Sequence, residues 1–397
     1  MTPAQLVASA QHVLEHNILS FWANRMYDPE GGFYGRMDGA GVLHPEAERG
    51  AVLNARILWA FAAAYRVLRN PEYLAMATHA KHYIEAHFLD RQQGGTFWAL
   101  HADGSPLDTK KQTYAVAFML YAFAEYARAT GDVSALSVAL TLFEDIEAHA
   151  YDDRHQGYVE ARTRHWEPVA DMRLSDKDEN AVFTMNTHLH LLEAYTNLFR
   201  VWPHARLRGR LMMLVRIFTE RLYNPASGHI DLFFNEHWQS KRDIASYGHD
   251  IEAAWLIGEA LDVLRDNAFS ERVKPVLDHI ARAAEEGLRP DGSMIHERKA
   301  TPKTHSVSQG DEREWWVMCE ATVGFIDRWQ STADKRYWNI AVRTYRYALD
   351  HLIDHDHGEW FWAVLPDGTT DTANDKAGFW KCPYHNSRMC LEILERF

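Results

Sequence analysis

The chain has 397 residues, 47% of them hydrophobic and 12% aromatic, which is enough for a large buried core. Its net charge of −13, with Lys and Arg residues scattered along the sequence, argues against nucleic acid or an anionic membrane surface as a partner. The 14 Trp residues suit a large core and also suit carbohydrate binding, because indole rings stack on the C–H faces of sugars.

The N-terminal segment begins a helix rather than a signal peptide, because its apolar stretch contains His and Glu and lacks a basic lead. No apolar run approaches the ~20 residues that a membrane span needs. Cys319, Cys382 and Cys390 form no Cys-x-x-Cys pair, which favours a reducing compartment. We therefore expect a cytoplasmic protein with one domain over residues 1–397, and the sequence leaves both a monomer and a homodimer open.

Glycine-centred segments with aromatic flanks recur along the chain. Their markers are Gly31, Gly94, Gly157, Gly228, Gly292 and Gly358, with steps of 63, 63, 71, 64 and 66 residues. Each segment is typical of a short β-hairpin or a long loop, because glycine supplies the turn and aromatic or β-branched residues follow it. Such a period indicates a repeated supersecondary unit.

Between the markers, apolar residues at three- and four-residue spacing predict pairs of helices. The pairs are 49–70 with 73–89, 113–132 with 134–150, 187–203 with 205–223, 250–264 with 272–288, and 314–334 with 336–352. Helices at 3–22 and 384–396 supply a sixth pair. Six pairs fit an open superhelix or a closed all-α (α/α)6 barrel with short β-hairpins at one end. Closure is favoured because the two terminal helices resemble the halves of one hairpin.

In a closed barrel, the first helix of each pair points one end toward a shared mouth, so reactive side chains should gather where these helices begin. The sequence fits this expectation at Arg56, Tyr114, Asn186, His188, His190, His249, Glu252, Trp315, Trp316, Tyr384, His385, Asn386 and Arg388. After a predicted Ser-Tyr-Gly turn, His249 and Glu252 stand three residues apart on one helical face. An imidazole exchanges protons near neutral pH, although a capped helix end with a surface histidine gives the same pattern.

Other patterns leave alternatives open. His188 and His190 point about 200° apart on a helix, so only one can face the barrel axis. Three histidines could hold zinc, but no local His-x-x-x-His pair supports that. His385 could belong to the core, and Asp178 lies in the charged run SDKDEN, which composition alone would assign to a solvated loop.

Six stretches together resemble the cellobiose 2-epimerase branch of the N-acylglucosamine 2-epimerase superfamily over essentially the whole chain. They are VLNARILWAF, DTKKQTYAVAF, MNTHLHLLEAY, SYGHDIEAAWL, EWWVMCEATVGF and KAGFWKCPYHNSRMCLEI. The resemblance implies an (α/α)6 barrel that inverts C2 of an aldose, as in cellobiose to glucosylmannose, without a metal or another cofactor. The segment 301–313 is somewhat longer than expected in disaccharide epimerases, which puts the second sugar site in doubt.

The resemblance also implies roles for the candidate residues. His249 and His385 would be the acid/base pair at C2, which suits two groups of near-neutral pKa better than two carboxylates. His190 would assist ring opening over C1 and O1, and Arg56 would hold the enediolate oxygens. The remaining candidates are Glu252 and Asp178, which would support His249, and the sugar-binding residues Asn186, Tyr114, Phe118, Trp316 and Trp380.

The function that we expect is therefore 2-epimerisation of a β-1,4-linked disaccharide with glucose or mannose at its reducing end. Epimerisation of free glucose and mannose, or aldose–ketose isomerisation, requires similar chemistry. An inverting glycoside hydrolase would need two separated carboxylates, for which Asp178, Glu252 and Glu320 are candidates, but it would leave the histidines without a role. A carbohydrate-binding scaffold would need only the tryptophans.

Overall fold

The computed structural model describes residues 1–299 and 311–397, so most of the predicted insert at 301–313 lies outside the described residues. Twelve α-helices dominate the described ranges. They are α1 (Pro3–Val13), α2 (Ala51–Leu68), α3 (Pro71–Tyr83), α4 (Thr113–Thr130), α5 (Val133–His149), α6 (Met185–Val201), α7 (Ala205–Ile217), α8 (Tyr247–Leu264), α9 (Asn267–Ala284), α10 (Trp315–Thr332), α11 (Lys335–His351) and α12 (His385–Arg396).

The even-numbered helices form a closed inner ring. Each packs on the next in the order α2, α4, α6, α8, α10 and α12, and α12 packs on α2. The outer helices α3, α5, α7, α9 and α11 each pack on the inner helix before them, while α1 packs on α12. The two terminal helices therefore make the sixth pair, and the predicted (α/α)6 barrel and its closure are confirmed.

A short antiparallel pairing closes each two-helix unit at the end where the inner helices begin. The strand before an inner helix pairs with the strand after the outer helix of the same unit. These pairs are β1 (Arg49–Gly50) with β2 (Ala99–Leu100), β4 (Lys111–Gln112) with β7 (Ala161–Arg162), β8 (Phe183–Thr184) with β9 (Phe233–Phe234), β10 (Ile244–Ser246) with β11 (Glu297–Lys299), and β12 (Arg313–Glu314) with β13 (Ala363–Val364). In the sixth unit, a bridge between Met37 and Ala377 takes this place. Strand β3 (Pro106–Asp108) extends the first pair, and β5 (Tyr151–Asp152) pairs with β6 (Gly157–Tyr158).

Inner and outer helices differ in how they bury their residues. Nearly every residue of α4 is buried, whereas α11 buries one stripe that includes Tyr337, Ala341, Tyr345 and Ala348. Among the described residues, α2 is the one helix whose length and composition would suffice to cross a membrane, and most of it is buried. An inner barrel helix is buried on nearly all faces because other helices surround it.

The predicted glycine turns are present, except that in one unit the residue before the glycine adopts the left-handed conformation. Gly94 has φ 76° and Gly228 has φ 85°, which glycine adopts without a steric penalty. In the third unit the left-handed residue is Gln156, at φ 54°, and Gly157 follows it. A Cβ on Gly157 would lie 2.5 Å from the Trp238 indole, so this glycine is required by close packing.

Two predicted helix starts need correction. Helix α8 begins at Tyr247, so Tyr247 and Gly248 are helical rather than part of a turn. Glycine is required at position 248, because a Cβ there would lie 2.7 Å from the Trp316 ring. Helix α9 begins at Asn267 rather than near residue 272, because the Asp266 side chain caps the backbone N–H of Phe269.

We predict that Glu359→Gln lowers the free energy of unfolding by about 3–5 kcal/mol, the usual effect of removing one partner of a buried ion pair. Glu359 accepts hydrogen bonds from Lys381 Nζ at 2.6 Å and from Trp22 Nε1 at 2.8 Å, and it therefore joins the N-terminal segment to the residues that precede α12. Both charged side chains are fully buried. Urea unfolding measures the loss.

The matched control is Arg36→Gln, which removes a 3.0 Å ion pair with Asp375 at the surface. Its effect should stay below about 1 kcal/mol, because solvent screens exposed pairs. Equal losses in the two variants would contradict the importance of the buried pair.

Candidate active site

Four histidines lie at the mouth of the barrel and form what we call the histidine cluster: His190, His249, His296 and His385. The Trp316 indole contacts three of them, with ring centroids 4.7 Å from His249, 5.0 Å from His296 and 5.7 Å from His385. His190 packs against Phe118, at 4.7 Å, and Tyr114, at 4.9 Å. Inner helices α6, α8 and α12 and the residue just before strand β11 therefore bring imidazoles to one region.

His385 stands at the first position of α12 and is buried. Its Nδ1 donates a hydrogen bond of 2.7 Å to Oε1 of Glu320, so Nε2 is left for a ligand. Glu320 is fixed in turn by Trp255, whose Nε1 donates to Oε2 at 3.0 Å. Burial is the main cause that lowers the pKa of His385 well below its usual range, so the neutral imidazole is favoured.

Arg388 lies one turn further along α12 and holds three buried carboxylates on three other inner helices. It donates to Glu252 at 2.6 Å, to Glu320 at 2.7 Å and, by a short hydrogen bond, to Glu193. Tyr384 also donates to Glu193. These contacts join α6, α8, α10 and α12 around one guanidinium.

His190 and His188 occupy different environments, as their spacing on the helix requires. The Nδ1 of His190 donates to Glu193 at 3.0 Å, and burial lowers the pKa of His190 to about 4 although Glu193 opposes the shift. His188 donates from Nδ1 to the backbone carbonyl of Thr184 at 2.7 Å and accepts at Nε2 from the Tyr158 N–H at 3.0 Å. Both nitrogens of His188 are thus engaged in the scaffold.

Arg56 lies in α2 and is buried among aromatic rings. Its guanidinium donates to the Tyr114 hydroxyl at 2.8 Å and lies 4.3 Å from the Phe118 ring centroid and 4.7 Å from that of Tyr384. Among the described residues no carboxylate forms an ion pair with Arg56, although most other buried cations have such a partner. This cation is therefore available to an anionic ligand.

His249 is half-buried in the first turn of α8. Its Nδ1 lies 2.7 Å from Oγ of Ser246, and burial lowers its pKa well below the usual range. Glu252, predicted to support it, instead accepts from Arg388 and forms no hydrogen bond to His249 within the described ranges. The helical spacing places the two side chains on one face of α8. The Glu252 carboxylate nevertheless binds the Arg388 guanidinium, because burial of a carboxylate is favourable only when a cation lies beside it.

The other predicted residues lie at different depths. Trp380 and Asn186 are half-buried, and the Trp380 ring lies 6.0 Å from Tyr114. Asp178 accepts from the backbone N–H and the hydroxyl of Ser175, both at 3.0 Å, and no described contact joins it to His249. Its role in proton movement therefore has no direct geometric support.

One grouping of potential metal ligands occurs among the described residues, formed by Glu252, Glu320 and His385 within 4.8 Å of one another. Arg388 donates to both carboxylates there, so the guanidinium already supplies the positive charge. Burial, followed by repulsion from Glu320, raises the pKa of Glu252 to about 8. This pair of carboxylates therefore keeps a proton at neutral pH.

Three residues of this site, His296, Glu314 and Glu193, were not predicted from the sequence. His296 immediately precedes strand β11 rather than standing at the start of an inner helix, and its Nδ1 lies 3.3 Å from Oε1 of Glu314. Glu314 also accepts from Trp316 Nε1 at 2.6 Å. Glu193 stands one turn after His190, and that i, i+3 spacing is the signal that could have identified it.

Comparison with known proteins gives a consistent family. The family model of N-acylglucosamine 2-epimerase (GlcNAc 2-epimerase) matches residues 32–388. The cellobiose 2-epimerase of Bacteroides fragilis is 50% identical over 385 residues, which cover 97% of each chain. The structure of cellobiose 2-epimerase from Bacillus thermoamylovorans is 39% identical, covers 99% of this chain and 100% of its own, and superposes with a TM-score of 0.93. A D-mannose isomerase structure, 21% identical over 100% of this chain and 98% of its own, shares the fold with a TM-score of 0.85.

The raised pKa of Glu252 predicts a pH dependence of stability. From about pH 4.5 to about pH 8 the folded chain keeps a proton that the unfolded chain has lost, so the free energy of unfolding falls as pH rises. We expect Glu252→Gln to flatten this part of the curve, measured by urea unfolding at a series of pH values. The control is Glu271→Gln, at a carboxylate that is 74% exposed, which should keep the wild-type slope. A wild-type slope in Glu252→Gln would contradict the assignment.

Proposed function

Because the chain belongs to the N-acylglucosamine 2-epimerase family, we propose that it interconverts the gluco and manno configurations at C2 of an aldose. We further propose the reducing-end residue of β-1,4-linked disaccharides, such as cellobiose, as its substrate. Two relatives that align over nearly the full chain carry the name cellobiose 2-epimerase. The single observation that carries the proposal is the pair of imidazoles, His249 and His385, that separate helices bring to one indole.

The reaction requires a linear aldehyde, because only a carbonyl at C1 makes the C2–H acidic. One imidazole then removes that proton and the other returns a proton to the opposite face of a planar cis-enediolate. His249 and His385 suit this exchange, since burial favours the neutral form of each and leaves each able to act as a base. Each becomes an acid once it has taken a proton.

Arg56 would stabilise the negative charge that develops on O1 and O2. It contacts a hydroxyl and aromatic rings rather than a carboxylate, so the substrate anion would supply its counter-charge. A fixed cation in a dry site contributes more than it would in water, and loss of a comparable oxyanion donor costs about 10²–10³-fold in turnover. His190, oriented by Glu193, would exchange protons at O1 and O5 during ring opening.

Competing functions make different demands. Aldose–ketose isomerisation needs the same enediolate and differs only in whether the proton returns to C1 or C2, so it remains the second candidate. An inverting hydrolase needs carboxylates about 6.5–9.5 Å apart. Glu252 and Glu320 have oxygens within 4.8 Å and share Arg388, which leaves no place between them for a water and a sugar.

The deciding experiment is incubation in heavy water with cellobiose, and separately with glucose or mannose, followed by NMR. We expect deuterium at C2 and a manno product from cellobiose. A ketose product would favour isomerisation, and release of monosaccharide would favour hydrolysis. Unchanged sugars in every incubation would contradict catalysis and favour a carbohydrate-binding scaffold.

We also predict that His249→Gln and His385→Gln each lower kcat by about 10²–10⁴-fold, the usual contribution of a general acid or base. The matched control is His188→Gln, two positions from His190. That change removes the acceptor of the Tyr158 N–H, so it should lower the melting temperature while kcat per folded molecule stays near the wild-type value. Wild-type turnover in either His249→Gln or His385→Gln would refute the two-imidazole assignment.

A further inference from the structure

The four members of the histidine cluster differ in what holds Nδ1. In His190, His385 and His296 this nitrogen faces a carboxylate, supplied by Glu193, Glu320 and Glu314 respectively. In His249 it faces the neutral hydroxyl of Ser246. An imidazolium at His249 therefore has no anion of its own beside it, although the proposed reaction requires His249 to carry a proton in part of each cycle.

His296 is the nearest described imidazole of the cluster that faces solvent. Its ring centroid lies 6.1 Å from that of His249, and both rings rest on Trp316. Its side chain is 22% exposed, while that of His385 is 8% exposed and that of His190 is 3% exposed. Nε2 of His296 has no hydrogen-bond partner among the described residues, so a water can join it to His249.

We propose that His296 and Glu314 form a proton store for His249. The inference rests on the proposed epimerase function, in which His249 alternates between base and acid. In this arrangement the resting proton lies on His296, neutralised by Glu314, and passes to His249 when negative charge develops on the sugar. His296 thus acts through His249, to which it supplies a proton, and does not itself contact C2.

The proton balance is simple. Nε2–H of His296 gives its proton to a bridging water, and that water gives a proton to Nε2 of His249. Neutral His296 keeps the Nδ1–H that it donates to Glu314, and it regains its lost proton from solvent through its exposed edge. When His249 has taken the C2 proton, the same path runs in reverse. No other reactant is needed.

The charged surroundings support this direction. Burial alone would lower the pKa of His296, but Glu314 outweighs it and the pKa is raised. In contrast, burial and then the charge of His296 lower the pKa of His249. The other charged or titratable groups that act on this pair are Glu297 at the start of β11, Glu312 before β12, His190 and His385 across the cluster, and Lys177, which acts on Glu314.

The test uses His296→Ala, Glu314→Gln and the exposed control His237→Gln, which is 64% exposed on a loop. We expect His296→Ala to lower kcat with cellobiose on the order of 10²-fold, at the lower end of general acid–base effects, and added imidazole to restore part of it. His296 is protonated below its raised pKa and loses that proton as pH rises, so Glu314→Gln should move the alkaline fall of kcat to lower pH. His237→Gln should behave as wild type.

Two outcomes would overturn the proposal. One is wild-type kcat and pH profile in His296→Ala. The other is a loss that is equal at every pH and unaffected by imidazole, which would indicate only packing against Trp316. NMR titration of the histidine rings separates this proposal from the epimerase function, because it needs no substrate. The pKa of His296 should exceed that of His249 and should fall in Glu314→Gln, and the opposite order would refute the store even in an active epimerase.

Discussion

The contact between one guanidinium and three buried carboxylates is the interaction on which the rest of this structure depends. Arg388 reaches Glu193, Glu252 and Glu320, which stand on three different inner helices. Burying these four ionisable groups is unfavourable unless each finds a partner, and here each carboxyl group accepts a hydrogen bond from Arg388. Two of the carboxylates also accept hydrogen bonds from His190 and His385. Arg388 therefore orients these two imidazoles indirectly, through Glu193 and Glu320. The inner ring and the reactive groups are fixed by one set of bonds.

The fold was predictable because its repeating unit is marked by local sequence signals. Glycine turns, apolar spacing and caps recur every 63 to 71 residues, and each signal is local. Helix starts were less certain. Helices α8 and α9 begin earlier than the apolar pattern indicates, because Gly248 resembles a turn residue and the cap at Asp266 was not recognised. Closure depended on one inference, that the terminal helices pair, and the packing of α1 on α12 supports it.

The site was predictable only in part. Residues at the starts of inner helices were found because the barrel places those starts together, and the resemblance supplied their roles. The hydrogen-bond partner of each histidine could not be predicted, because it depends on which carboxylates also bind Arg388. Glu252 was expected beside His249 from helical spacing, yet it binds Arg388. His296 escaped notice because it lies just before strand β11, whose pairing with β10 places it near Trp316, and Glu314 was missed with it because its partner is His296. Such long-range pairing leaves no periodic signal in the sequence.

The contacts of Arg388 with Glu193, Glu252 and Glu320 have an evolutionary consequence. In many enzymes, reactive groups are held at a cost to stability, so mutations that strengthen the fold tend to weaken turnover. Here the carboxylates that orient His190 and His385 are also the ones that Arg388 joins across the inner helices, so selection for folding and selection for catalysis would act on the same side chains. Drift at this position should be rare, and heat-tolerant variants chosen without any assay for activity should keep their chemistry intact.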